Sequence, residues 1–524
     1  MKSKVSIGLV AVAAVAVALL AAHGPAVRAQ PVASIALPEP GGSVQLYPGC
    51  NNITLTFPDG TASETVVQAV TPAGVVQAMW RHNAAQNKFE GFSPAAPQAS
   101  DLLTVNFLDA VWLCVRGALP PAPTPPPAPG PQALRLGLLL PFTGDLSDFG
   151  PAHENAARLA VKEINAAGGV LGQPIEIVTG DTGTDPSQGV SEATRLVQVE
   201  GVHVILGALA SGITLPVAES VTGPNHVLQI SPASTSPALT NADDNDFLFR
   251  TTISDAAQGI VLARLARDMG LSSVCTMYIN NAYGQGLSEV FAENFQAAGG
   301  TVAAQVPHES RQATYASELA ECTAGGPDAL AAIAYPDSAG VFLREAVEAG
   351  DVDTFLGVDG TKSSAMFEAL GWESFDGMRG TAPSSLETAA GTAFQAAYEA
   401  EYGETPPLPF MREIYDAVYL VALAAEKAGS TDPTAIRDAL RDIANAPGEI
   451  VGPGTAGFAG ALGLLAGGTG INYEGASGPV DLDGNGDALI GAIETWHVDA
   501  ASQDLVTDVL YRVDVATGQI MALP

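Results

Sequence analysis

The sequence predicts an α/β protein built as two facing lobes and preceded by a small all-β module. Three observations carry this. From Leu134 onward, short apolar runs alternate with helical patterns, as in parallel sheets covered by helices on both faces. The alternation starts afresh near Ser273, so it describes two such sheets. Upstream, beyond a proline-rich stretch, the period is that of strands alone.

The chain has 524 residues, 47% hydrophobic and 15% charged. That is too long for one core and enough for two or three domains. Asp and Glu outnumber Lys and Arg by 56 to 22, a formal net charge of -34. Such a surface repels phosphate backbones and anionic headgroups, which argues against nucleic acid or an acidic membrane as partner; its plainer effect is solubility.

Residues 1–29 read as an export signal: Lys2 and Lys4, an uncharged apolar run from Val5 to Ala22, then Val27-Arg28-Ala29 before a cleavage point. If uncleaved, the run is long enough to serve as a membrane anchor. The mature chain is expected outside the cytoplasm. Four cysteines suit an oxidising destination. Cys50 with Cys114 and Cys275 with Cys322 are the expected local pairs, although spacing leaves the other two connectivities open.

Residues 30–118 carry short runs at Ser43–Tyr47, Ile53–Phe57, Val66–Val70, Val75–Trp80 and Leu102–Cys114, separated by turns such as Asp59-Gly60. They predict a small β-sandwich-like domain of unassigned role. Trp80, Phe89 and Phe92 are expected in its core, a sugar- or partner-binding patch being the alternative. Residues 119–133, LPPAPTPPPAPGPQA, form a stiff linker. Residues 134–524 hold the two α/β lobes. Leu134–Leu140, Ile175–Thr179, Val202–Gly207 and Val227–Ile230 read as strands, with helices at Asn155–Ala166, Ser187–Glu200 and Pro216–Val221. The second series runs Val274–Ile279, Leu287–Ala298, Thr301–Val306, Tyr315–Cys322, Ala329–Ala334 and Gly340–Gly350, strand and helix in turn. Open parallel sheets take ligands at the carboxyl ends of their strands, so two facing sheets create one cleft.

Chemical motifs are few. Asp481 to Asp487 resembles the start of a calcium loop, but the acid required twelve positions along falls on Ala492. His153-Glu154 lacks the second His of a zinc helix. No nucleophile elbow or phosphate loop occurs. The residues predict no enzyme, metal or cofactor.

Several stretches stand in a recognisable order: Leu139-Leu140-Pro141-Phe142-Thr143-Gly144, Ala160 to Asn165 with Gly168-Gly169, Gly207 to Ser211, Ile230 to Thr235, Phe249-Arg250-Thr251, Ala282 to Gly286, and Tyr473 to Gly478. In these the chain resembles the type I periplasmic solute-binding proteins of ABC transporters, specifically the leucine/isoleucine/valine-binding branch. The resemblance implies one lobe from 134–251 and 381–478 and another from 252–380 and 479–524, with crossings near Arg250–Thr252, Gly380–Ala382 and Gly478–Val480.

It also implies ligand-binding residues. A zwitterion held dry needs donors for its carboxylate and a countercharge for its ammonium. Ser211 follows a strand and precedes a helix expected to begin near Thr214, a place for an anion or for an ordinary cap. Ala233 and Thr235 lie on the same rim, and the resemblance gives them the amino and carboxyl groups. Tyr283 offers a hydroxyl from the second lobe or packs under a glycine turn. Asp359 stands where the family pairs the ammonium; alone it reads as an Asp-Gly turn. Phe149 and Tyr335 resemble aromatic walls, with packing as the other reading. The resulting expectation is an exported binding protein that captures a small polar solute, an amino acid of branched-chain type, for an ABC permease. A sensor module or, less so, a secreted hydrolase are the alternatives.

Overall fold

The computed structural model describes residues 33–523 apart from 39–41, 48, 74, 84–87, 96, 98–99, 101 and 116–131. The expected export signal and nearly all of the expected linker lie outside the described residues. The chain divides into two compact units, Met1–Ala128 and Pro129–Pro524.

In the first unit, period-2 alternation makes strands with one buried face. β1 (Ala33–Leu37), β2 (Gly42–Leu46), β3 (Gly49–Thr54), β4 (Thr61–Ala62), α1 (Ser63–Gln68), β5 (Val70–Thr71), β6 (Val76–Asn83), β7 (Lys88–Phe92), β8 (Thr104–Val105) and β9 (Ala110–Val115) follow in turn. They form sheets in the orders β2-β1-β5, β3-β9-β6-β7 and β4-β8. A disulfide joins Cys50 to Cys114 across β3 and β9. Two expectations fail here. Val66–Val70 is not one strand: residues 63–68 are helical with Val66 facing the core, and only Val70, also buried, belongs to a strand, β5. The β-branched residues of the run concealed the helix. Phe92 and its partner Met79 are buried, but Trp80 and Phe89 are 43% and 55% exposed. Strand alternation fixes this, since Trp80 adjoins the inward-facing Met79 and must point the other way.

The second unit begins with β10 (Arg135–Leu140), α2 (Phe149–Ala166), β11 (Glu176–Asp181), α3 (Pro186–Gln198), β12 (Val204–Gly207), α4 (Ser211–Val217), α5 (Gly223–Asn225), β13 (Leu228–Ser231) and β14 (Leu248–Arg250). These give a parallel sheet ordered β11-β10-β12-β13-β14. A second series follows: α6 (Asp255–Asp268), β15 (Ser273–Ile279), α7 (Ala282–Ala297), β16 (Thr301–His308), α8 (Ala316–Thr323), β17 (Ala329–Ile333), α9 (Pro336–Ala349), β18 (Phe355–Gly357), α10 (Ser364–Leu370) and β19 (Arg379–Ser384). A disulfide joins Cys275 to Cys322. The chain then returns to the first lobe as α11 (Ala389–Tyr402), α12 (Met411–Ala428), α13 (Pro433–Ala444), β20 (Glu449–Val451), α14 (Thr455–Ala466) and β21 (Ile471–Tyr473). β22 (Ile490–Asp499), β23 (Asp504–Asp514) and β24 (Gln519–Ala522) complete the second sheet, ordered β16-β15-β17-β18-β19-β22-β23-β24.

That sheet is parallel through β19 and antiparallel from β22 on. The turns joining β22, β23 and β24 are too short for a crossover helix, so the last strands fold as a meander. β19 stays in the second sheet as far as Ser384, which sets the second lobe crossing beyond residues 380–382. Residues Ile414 to Ala425 of α12 are all buried, so this helix is core to the first lobe on every side. The Asp481–Asp487 segment closes by a Leu482–Ala488 bridge, and Asp487 takes two bonds from Arg250 at 2.6 and 2.7 Å. No helix among the described residues is long and apolar enough to cross a membrane.

Candidate functional site

Between the lobes lies a narrow cavity lined by Leu146, Phe149, Leu209, Ser211, Ala233, Tyr283, Tyr335, Asp359, Gly360 and Phe410. Six of the seven expected site residues therefore meet on one cavity. The seventh, Thr235, is buried behind it and donates its hydroxyl to Asp255 Oδ2 at 2.8 Å.

Each side chain is placed by the end of a strand. Ser211 begins α4 four residues after β12 and accepts a bond from the Ser236 amide at 3.2 Å. The loop after β13 is drawn tight by Ser231, whose hydroxyl accepts from the amides of Ser234 (2.9 Å) and Ala233 (3.4 Å). Asn281 caps α7, accepting from the Tyr283 and Gly284 amides at 3.0 Å, and so aims Tyr283 at the cleft. The Tyr283 and Tyr335 rings stack 5.5 Å apart and 7° from parallel. Gly360 permits this crowding: a Cβ there would lie 2.4 Å from the Ala334 carbonyl oxygen and 3.0 Å from the Tyr283 hydroxyl.

Asp359 is the electrostatic centre. It follows β18, is 5% exposed, and accepts bonds from the Tyr283 hydroxyl (2.7 Å) and Gln258 Nε2 (2.8 Å) on the same oxygen. Burial pushes its carboxyl above the usual range against those two donors. Behind it lies Asp255, fully buried at the start of α6, with Oδ1 left without a hydrogen-bond partner. Burial, and then the charge of Asp359, push Asp255 well above the ordinary carboxylate value. Two neighbouring carboxyls do not both ionise readily, and Asp359, on which two donors converge, holds a charge more easily than Asp255. Among the described residues, no Lys or Arg lines the cavity.

The other end is apolar. Phe149 opens α2, and Phe410 precedes α12 with φ 69°, a left-handed conformation uncommon for a bulky residue. His153 joins them, its ring nitrogens 2.7 Å from the Phe149 carbonyl oxygen and 3.1 Å from that of Pro409. Burial pushes its pKa down to about 4, against the two carbonyl oxygens, which favour the protonated ring. Leu146, Leu209, Phe410 and Asp255 were not singled out from the sequence. Asp255 reads there as the first-turn acid of a capped helix, and Phe410 lies in a proline-rich loop far along the chain.

A wider crevice borders Pro406 to Arg412, where Lys362 is already paired with buried Glu494. Among the described residues no group of three or more His, Cys, Asp or Glu is placed to hold a metal ion.

Two parallel-sheet lobes with hydroxyls and an unpaired acid at one end of a cleft, and apolar walls at the other, define a clamp for small amphiphilic solutes. The periplasmic binding protein family model matches residues 133–461. The chain belongs to that family. It is 30% identical to the chemotactic signal transduction system substrate-binding protein BasB of Halobacterium salinarum, over 67% of this chain and 84% of that one. It is 28% identical to the leucine-, isoleucine-, valine-, threonine- and alanine-binding protein of Pseudomonas aeruginosa, over 59% and 82%. Among solved structures, the leucine-binding protein LivK of Thermotoga maritima superposes with a TM-score of 0.61 at 25% identity, covering 72% of this chain and 98% of that one. These relatives are named for binding, not for catalysis.

Proposed function

We propose that this protein is exported, captures an aliphatic α-amino acid between its lobes, and delivers it to the permease of an ABC transporter. The observation that carries this is Asp359: a buried carboxylate on the cavity wall, bonded to neutral donors and lacking a cationic partner. An entering ammonium supplies the missing countercharge. Ser211 and the Ala233 loop stand opposite as donors for the ligand carboxylate, with Thr235 holding Asp255 behind them. Phe149, Tyr335, Leu146, Leu209 and Phe410 enclose the side chain, which favours leucine, isoleucine or valine over charged amino acids. Closure gives contacts to both lobes that the open state lacks.

Titration calorimetry with leucine, isoleucine, valine, alanine, glutamate and lysine tests this. Micromolar binding of the aliphatic set, worth about 8 kcal/mol, is expected, and Asp359→Asn is expected to weaken it at least about 100-fold, or 2.7 kcal/mol. Undiminished affinity in that variant would remove the ammonium-pairing role. The match to BasB favours a second reading, in which the same clamp reports to a chemotactic signalling partner. Deletion strains separate the two: loss of leucine uptake supports transport, and loss of taxis with uptake intact supports sensing.

A further inference from the structure

Arg311 lies in the second lobe, in the loop between β16 and α8, with φ 57°. Its side chain reaches into the first lobe. Nε donates to Asp145 Oδ1 at 3.0 Å and Nη2 to the Gly183 carbonyl at 2.6 Å. Apart from the Arg250–Asp487 pair at the crossover, this is the ion pair that joins the lobes among the described residues.

Its surroundings are acidic from both sides. Asp145 is 3% exposed, and its Oδ2 has no hydrogen-bond partner. Asp337 opens α9 in the second lobe; burial and then the charges of Asp145 and Asp148 push its carboxyl up, and Arg311 opposes them. Asp185, held low against its burial by Ser187 and the Gln188 amide, also feels Arg311. Gly144 makes the contact sterically possible: at φ 86°, a Cβ would lie 2.0 Å from the Gly183 carbonyl oxygen and 2.5 Å from Arg311 Nη2. Exposed ion pairs are ordinarily weak. This one differs because Asp145 is buried, and an open cleft returns it to water while a closed cleft without the arginine strands it.

We propose that Arg311 is an electrostatic latch, the countercharge that lets two acidic rims meet when the cleft closes. It is a positioning residue that lengthens ligand residence without touching the ligand; the residence-time part rests on the amino-acid reading above, the latch itself on the lobe contact.

Spin labels at Val199→Cys and Glu321→Cys test it directly, since both positions are exposed and the four native cysteines are all in disulfides. In the ligand-free protein at low ionic strength, Arg311→Met is expected to shift the interlobe distances towards longer values, with Arg311→Lys intermediate. High salt should move the parent towards the variant and leave the variant nearly unchanged. In stopped-flow with leucine, Arg311→Met should raise koff about five- to tenfold with kon within about twofold, at an unchanged ligand-free melting temperature. Identical distance distributions for parent and Arg311→Met overturn the latch. If leucine fails to bind the parent, the amino-acid reading falls while the distances still decide the latch.

Discussion

Asp255 and Asp359 are both buried acids, Asp359 on the cavity wall and Asp255 off it, and their hydrogen bonds make them unequal. Asp359 has two donors; Asp255 has one donor and a stranded oxygen. Asp255→Asn is therefore expected to keep leucine affinity within about threefold, under 1 kcal/mol, because burial and the charge of Asp359 disfavour the ionised form of the group it replaces. A loss matching that of Asp359→Asn, seen by calorimetry, would put the charge on the wrong acid. Acid should also weaken binding. Asp359 is raised above its ordinary value by burial, so it protonates earlier than a free carboxylate as pH falls, and the ammonium loses its countercharge. Affinity measured down a pH series is expected to decline before the protein unfolds.

The first turn of α12 holds the lobe crossings. Glu413 accepts from Ser385 at 2.9 Å with its side chain, and from Thr251 at 2.9 Å with its carbonyl. One turn on, Asp416 accepts from the Tyr473 and Ser477 hydroxyls and from the amides of Ala476 and Ser477. One helix thus grips all three connections. Glu413 is also a titrating group in an apolar place: burial, with a smaller contribution from Asp416 against Arg412, lifts it to about 7 from 4.5. An acid raised on folding stabilises the native state fully below its unfolded value, and that contribution is lost as pH rises through the folded one. Glu413→Gln removes the slope. The variant is expected to gain stability over the parent between pH 5 and 8, by up to about 3 kcal/mol, read from denaturant melts at each pH. Equal melts at every pH would show that Glu413 finds a partner when ionised.

The two compact units have separate hydrophobic cores, the first around Ile35, Met79 and Leu113 and the second around the paired sheets. Cleavage within residues 119–133 is expected to release a fragment that binds leucine as tightly as the full chain. Calorimetric melts of the intact protein should then show two transitions, of which only one moves with leucine, by about 2.7 kcal/mol at a hundredfold excess over Kd. Movement of both would mean that the units unfold together.

Much of this was legible beforehand. The succession of strands and helices through residue 350 was legible in apolar periodicity, and Cys50–Cys114 with Cys275–Cys322 was the favoured of three possible connectivities; Phe149, Ser211, Ala233, Tyr283, Tyr335 and Asp359 were pointed to by the resemblance of short motifs at strand ends, and these six line one cavity. In an α/β sheet those ends necessarily share one rim, so local sequence carries site information. Less was legible where the decision was made far away. Phe410 closes the apolar end of the cavity because α12 returns to the first lobe, and no neighbour in sequence announces that. Arg311 and Asp145 lie in unrelated loops, and only the meeting of the lobes turns them into a pair. The same holds for Trp80 and Phe89, whose hydrophobicity suggested burial until strand register set them outward. Sequence by itself determined the alternation of strand and helix in the two α/β series through residue 350, because that follows from the period of side chains along the backbone. Tertiary structure alone decided which distant groups face one another, because burial, charge pairing and pKa depend on distances that no local pattern encodes.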